Sequence, residues 1–237
     1  MLIDNFVNGP TGGLQAGTGT TSDLVSTIAT GTIGGTRIGV VSVASGTGNA
    51  AFLGATPPDP GPPPLPNTVS QFRWSVDAEA TSTVGLYYGF DDYSAAPEEV
   101  NWGSQAGTSG DNLDADLLQD GNDRFRVNVL SADLTDNLNI GVISAQGTPD
   151  EVVAILSVPV VGGGGPPQIL EFEFAAFSQI GGPGSAIDWS DIDQIMVEND
   201  TPLGSADWTL GSIVVVPEPS TALLGLIGFA GLARRRR

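Results

Sequence analysis

The chain has 237 residues, a formal net charge of −19 and no cysteine or histidine, and all eight of its basic residues are arginines. These absences exclude disulfides, imidazole bases, Ser-His-Asp and Cys-His nucleophiles and His or Cys zinc sites; carboxylates, tyrosines, hydroxyls and arginine remain for any chemistry. Four arginines lie at the C-terminus, so the body sets only Arg37, Arg73, Arg124 and Arg126 against 27 acidic residues, a balance that repels nucleic acid and anionic lipid headgroups.

With 33 glycines and 17 prolines among abundant Thr and Ser, the composition is that of many strands joined by turns. Met1 to Val7 reads as a first strand ending at the Asn8-Gly9-Pro10 turn. Residues 11 to 23 offer little to bury and read as loop, and Leu24 to Thr30 alternates weakly. Ile38 to Ala44 is rich in β-branched residues and reads as a strand. The run from Thr56 to Asn67 holds Pro57, Pro58, Pro60, Pro62, Pro63, Pro64 and Pro66; it excludes helix and central strand and is expected to be a stiff polyproline loop on the surface of one domain.

Gln71 to Glu79 alternates cleanly, with Phe72, Trp74, Val76 and Ala78 on one face and Arg73, Ser75, Asp77 and Glu79 on the other. This is the pattern of a half-buried antiparallel strand. Thr83 to Phe90 is expected to pair with it as a hairpin through Ala80-Thr81-Ser82. After a polar loop from Asp91 to Gly110, strands are expected over Arg124 to Leu130, Leu138 to Ala145, Val152 to Val161, Ile169 to Phe177, Ile192 to Glu198 and Trp208 to Val216. No segment before Ser220 reads as helix. The expected fold is all-β, an antiparallel β-sandwich of jelly-roll type over residues 1–216.

The C-terminus differs in kind. Pro217-Glu218-Pro219 precedes an uncharged run from Ser220 to Ala233, and the chain ends on Arg234, Arg235, Arg236 and Arg237. As a helix the run would be about 21 Å long, a short span against a hydrocarbon core of roughly 30 Å. Leu223, Leu224, Leu226, Ile227, Phe229 and Leu232 surround it and leave no polar face. The arginines resist translocation, which places the body on the opposite side of the inner membrane from the cytoplasm. A short transmembrane helix outside the fold is therefore expected over 217–237. Met1 to Phe6 lacks the basic and apolar regions of an export signal, so the recorded start is expected to lie downstream of the true one or the signal peptide to have been omitted, a cytoplasmic protein being the alternative.

Pro217-Glu218-Pro219, the apolar run and the arginine cluster resemble the PEP-CTERM sorting signal of exported proteins in Gram-negative, biofilm-forming bacteria. The resemblance implies recognition by a membrane-embedded exosortase, cleavage near the Pro-Glu-Pro and delivery to the cell surface or extracellular matrix. The mature protein would then lack a span, as after removal of a GPI signal. A second resemblance covers scattered pieces of the body. Ile3-Asp4-Asn5-Phe6, Asp120-Gly121-Asn122-Asp123-Arg124-Phe125, Asp188 to Ile195 and Ala206-Asp207-Trp208 are similar to the terminal strands of galactose-binding-like jelly rolls, among them carbohydrate-binding modules.

That second resemblance implies a structural calcium joining the first loop and last strand, which nominates Asp4 and Asp207. The acidic run Asp111 to Asp116 departs from an EF-hand loop, because Leu118 and Gln119 stand where a ligand and the glycine belong; it reads as a solvated loop. Aromatic rings able to stack on sugars are Tyr87, Tyr93 and Trp102. A pair of catalytic carboxylates is easily found by chance among 27 acids, and no hydrolase motif accompanies them. The expectation is a non-catalytic exported protein with a structural or adhesive role at the cell surface. The alternatives are a carbohydrate-binding module for exopolysaccharide and, further off, a glycan-active enzyme.

Overall fold

The computed structural model describes residues 1–6, 14–17, 20–27, 32–46, 49–56, 71–76, 80–89, 113–201 and 207–218. Within them the chain forms fourteen strands: β1 (Leu2–Asp4), β2 (Leu14–Gly17), β3 (Thr20–Thr27), β4 (Thr36–Gly46), β5 (Asn49–Thr56), β6 (Gln71–Val76), β7 (Ala80–Tyr88), β8 (Asn122–Ala132), β9 (Asp136–Ser144), β10 (Val152–Val160), β11 (Gln168–Glu173), β12 (Ser178–Gly181), β13 (Ile192–Thr201) and β14 (Asp207–Pro217). Only short 3-10 turns accompany them, at Ile33–Gly35, Gln119–Gly121 and Phe174–Ala176.

The strands form two seven-stranded antiparallel sheets. The first runs β11-β8-β14-β6-β5-β2, with β1 also paired to β14; the second runs β12-β10-β9-β13-β7-β4-β3. β14 is the spine of the first sheet. One edge lies along β8 through its length, while the other takes β6 over Asp207 to Leu210 and β1 near Ile213 and Val214. The all-β sandwich expected from the sequence is thus the fold observed.

Alternation places the core. Phe72, Trp74 and Val76 of β6, Phe125, Val127 and Val129 of β8, and Trp208, Leu210, Ile213 and Val215 of β14 are buried from the first sheet. They meet Val84, Leu86, Tyr88, Leu138, Ile140, Val142, Ile195 and Val197 from the second in one apolar cluster. Burying a side chain of this size stabilises by about 1.5–3 kcal/mol, which is why these positions fix the register. Trp74 and Trp208 are directly opposed across β6 and β14 and stack at 5.4 Å between ring centroids.

Three expectations change. β6 and β7 do not form a hairpin, because they lie in different sheets: β6 pairs β14 and β5, whereas β7 pairs β13 and β4. Residues 14–17 and 20–23, read from sequence as loop, are β2 and the start of β3. Both are edge strands, which backbone pairing can hold with few apolar side chains. β12, built of Ser-Gln-Ile-Gly, was anticipated by nothing in the pattern, and β5, before the proline-rich run, pairs between β6 and β2. The proline-rich expectation over 57–67, the loop aromatics Tyr93 and Trp102, and the tail helix lie outside the described residues.

Candidate functional site

Among the described residues, three aspartates converge beside the start of β13. Asp193 sits at a bulge of β13, where the ladder to β9 passes from Ile192 opposite Ser144 to Gln194 opposite Ile143 and leaves Asp193 without a partner in register. Residues 113–115 then lie against the start of β13: Leu113 N–H donates to Asp193 O at 2.9 Å, and Ala115 and Ile192 exchange bonds at 3.0 Å. This brings Asp114 beside Asp191 and Asp193, with carboxylate oxygens of the three within 4.8 Å of one another. Gly89, at φ +84°, makes the close approach possible; a Cβ there would stand 2.2 Å from Asp193 O.

Asp193 is buried, and its carboxylate accepts the Gln146 N–H at 2.5 Å. Burial raises its pKa from the ordinary 3.8, the Gln146 bond opposes this, and the neighbouring Asp191, Asp114 and Glu151 raise it further. No arginine pairs with the three among the described residues. Their donor set is three of the six to eight hard oxygens that calcium takes. The sequence did not nominate them: Asp191 and Asp193 are visible as an acidic alternation, but Asp114 joins them only through a distant backbone bridge.

Asp4 and Asp207, the pair nominated for calcium, are not brought together. Asp4 lies opposite Ile213 on β14, six residues along the strand from Asp207, or about 20 Å. Asp4 is fully buried and its carboxylate is engaged by protein groups: Arg37 Nη1 at 2.6 Å, Phe6 N–H at 2.8 Å and the Tyr88 hydroxyl at 3.1 Å. Burial raises its pKa and Arg37 pulls it back. Tyr88 is driven well above its usual value by burial and by Asp4. Asp207 is exposed, its backbone held by Asp133, whose carboxylate accepts the Asp207 N–H at 2.6 Å.

Of the nominated aromatics, Tyr87 alone falls within the described residues. It points to the outer face of the second sheet in a small buried cluster with Ile38, Val40, Ile143, Val153 and Met196, and its hydroxyl donates to Glu198. At 1 % exposure it presents no free ring face. Its ring crosses Gly85, where an added Cβ would come within 2.8 Å of a ring carbon. Trp189 was not nominated. It is partly buried, packs against the core and stacks on Phe174 at 4.0 Å and 7°.

The C-terminal signal continues directly from the spine of the first sheet. Val215 is buried and Pro217 is still in register opposite Asn122. Glu218 follows within 3.7 Å of Arg124, which also binds Asp123, Glu171 and Glu173 along β8 and β11. No helix among the described residues is long and apolar enough to cross a membrane.

The solved structures that match the chain share little sequence with it. The family 11 carbohydrate-binding module from Clostridium thermocellum, in complex with a β-1,3-1,4-mixed-linked tetrasaccharide, is 11 % identical, with 91 % of this chain and 94 % of that one covered at a TM-score of 0.41. The module of the cellulosomal cellulase Lic26A-Cel5E of the same organism is 11 % identical, with 93 % and 96 % covered at 0.40. An exo-β-agarase is 12 % identical over 76 % of this chain but only 24 % of its own, at 0.44. No curated protein matches the chain. The family model of the PEP-CTERM protein-sorting motif matches residues 215–237. The chain therefore carries a PEP-CTERM protein-sorting motif that begins in the last strand of a two-sheet β-sandwich.

Proposed function

We propose that the protein is exported, held at the inner membrane through its C-terminal segment, processed there by an exosortase, and released to serve a non-catalytic structural or adhesive role at the cell surface or in the extracellular matrix. The observation that carries this reading is the motif at 215–237 following a folded acidic sandwich. The surface charge keeps such a body soluble and away from anionic headgroups. The test is the intact mass and fractionation of the chain produced in a host with an exosortase. Loss of residues beyond the Pro-Glu-Pro together with surface recovery is expected. A soluble product that still ends in Arg234 to Arg237 overturns the proposal.

A second reading, a carbohydrate-binding module acting on exopolysaccharide, is favoured by one specific observation. Arg73, Ser75, Ser131, Asp207 and Thr209, neighbours in register across β6, β14 and β8, line one pocket on the outer face of the first sheet.

A further inference from the structure

We infer that this pocket is a binding site for a neutral saccharide unit, with Arg73 and Asp207 as its principal polar contacts. The inference rests on the carbohydrate-binding reading and names its site. The pocket has a volume of about 390 Å³, within the range of roughly 300–1,000 Å³ usual for small-molecule sites, and is lined by Arg73, Trp74, Ser75, Ser131, Asp207, Trp208 and Thr209. Register explains why these residues meet. Thr209 lies between Arg73 of β6 and Ser131 of β8, and Asp207 lies opposite Ser75. Trp74 and Trp208 point into the core, so their neighbours in sequence project together from the opposite face.

The chemistry matches a polyol rather than an ion. Arg73 is exposed and makes no ion pair, and the Asp207 carboxylate accepts no hydrogen bond, among the described residues. Ser75, Ser131 and Thr209 add hydroxyls that both donate and accept. A guanidinium, a carboxylate and three hydroxyls on one small face suit vicinal sugar hydroxyls, each at once a donor and an acceptor. The carboxylate of Asp133, which holds the Asp207 backbone, adds negative charge beside the pocket and disfavours an anionic ligand.

The test uses the full-length chain in affinity electrophoresis against neutral soluble polysaccharides (mixed-linkage glucan, galactan and galactomannan), with an anionic uronate polymer alongside. Arg73→Ala, Asp207→Asn and the pocket-filling Ser75→Trp are compared with Ser157→Ala on the second sheet, and melting curves check that each variant is folded. Retention by at least one neutral polymer is expected, weakened at least tenfold by each folded pocket variant and unchanged by Ser157→Ala. Retention unaffected by the pocket variants overturns the site and leaves the carbohydrate reading standing. Retention by the uronate polymer alone overturns the neutral-ligand assignment. No retention by any polymer removes both.

Discussion

Asp4 and Asp193 are buried among the described residues, and their surroundings are opposite. Asp4 meets a guanidinium, a backbone N–H and a phenol; Asp193 meets one backbone N–H and three other carboxylates. Both pKa values are raised, with burial the leading cause in each. At Asp4 the cation offsets the desolvation, whereas at Asp193 like charge adds to it. The comparison separates a carboxylate whose charge the fold satisfies from one whose charge the described residues leave uncompensated.

The largest effect should come from removing the cation at the first site. Arg37→Met leaves Asp4 as an unpaired charge in the core and should cost about 3–5 kcal/mol, read as a lowered denaturation midpoint. Asp4→Asn combined with Arg37→Met should recover part of that loss. A single variant as stable as the parent would erase the distinction.

Calcium probes the second site. Millimolar calcium should raise the melting temperature, a chelator should reverse the rise, and Asp193→Asn should abolish it; saturation at a hundredfold excess over Kd contributes about 2.7 kcal/mol. An unchanged melt removes calcium from the account and leaves Asp114, Asp191 and Asp193 as a site of electrostatic strain.

A smaller effect is expected from Asp193→Asn without metal. The amide oxygen can still accept from Gln146, and the like-charge repulsion disappears, so stability at neutral pH should hold or rise by about 1 kcal/mol. The sign follows from linkage. A carboxylate whose folded pKa is raised above 3.8 binds more protons folded than unfolded, so its contribution to stability falls as pH rises from about 4 through the raised value. The variant should therefore flatten the decline between about pH 4 and neutrality in a urea-denaturation series. Glu171 runs the other way. Its pKa is held below 4.5, first by the Arg126 hydrogen bond, so its contribution is present above that value and lost as pH falls through the depressed one.

The smallest effect belongs to that surface ladder. Arg126 and Glu171 are both about one-third exposed, and Arg126→Ala should cost less than about 1 kcal/mol, falling further in high salt. A larger loss would show that the β8–β11 edge depends on charge more than its exposure suggests.

What could be read from the chain in advance follows from period and placement. β6, β8, β11 and β14 alternate because one face of each is buried and the other is wet, and Phe72, Trp74, Phe125, Phe172 and Trp208 were legible as core for that reason. β2 and β12 were not legible. Their pairing is made by the backbone, which every residue except proline offers alike. The apparent hairpin between β6 and β7 failed because alternation reports that a strand is half-buried and not which sheet it joins. Asp4 looked like a ligand because an acid at a strand end is common to ligands and to ion pairs, and Arg37 is distant in sequence.

The sequence by itself determined the all-β class, the alternating core faces and the C-terminal signal, because each depends on the order of neighbouring residues: a period of two along a strand, or a Pro-Glu-Pro before an apolar run and arginines. Only the tertiary structure decided which acids meet, that Arg37 neutralises Asp4, that Asp114 joins Asp191 and Asp193, and that Arg73, Asp207 and Thr209 share one face. Those proximities depend on strand order and register, which are set by the packing of two whole sheets and leave no local signature in the chain.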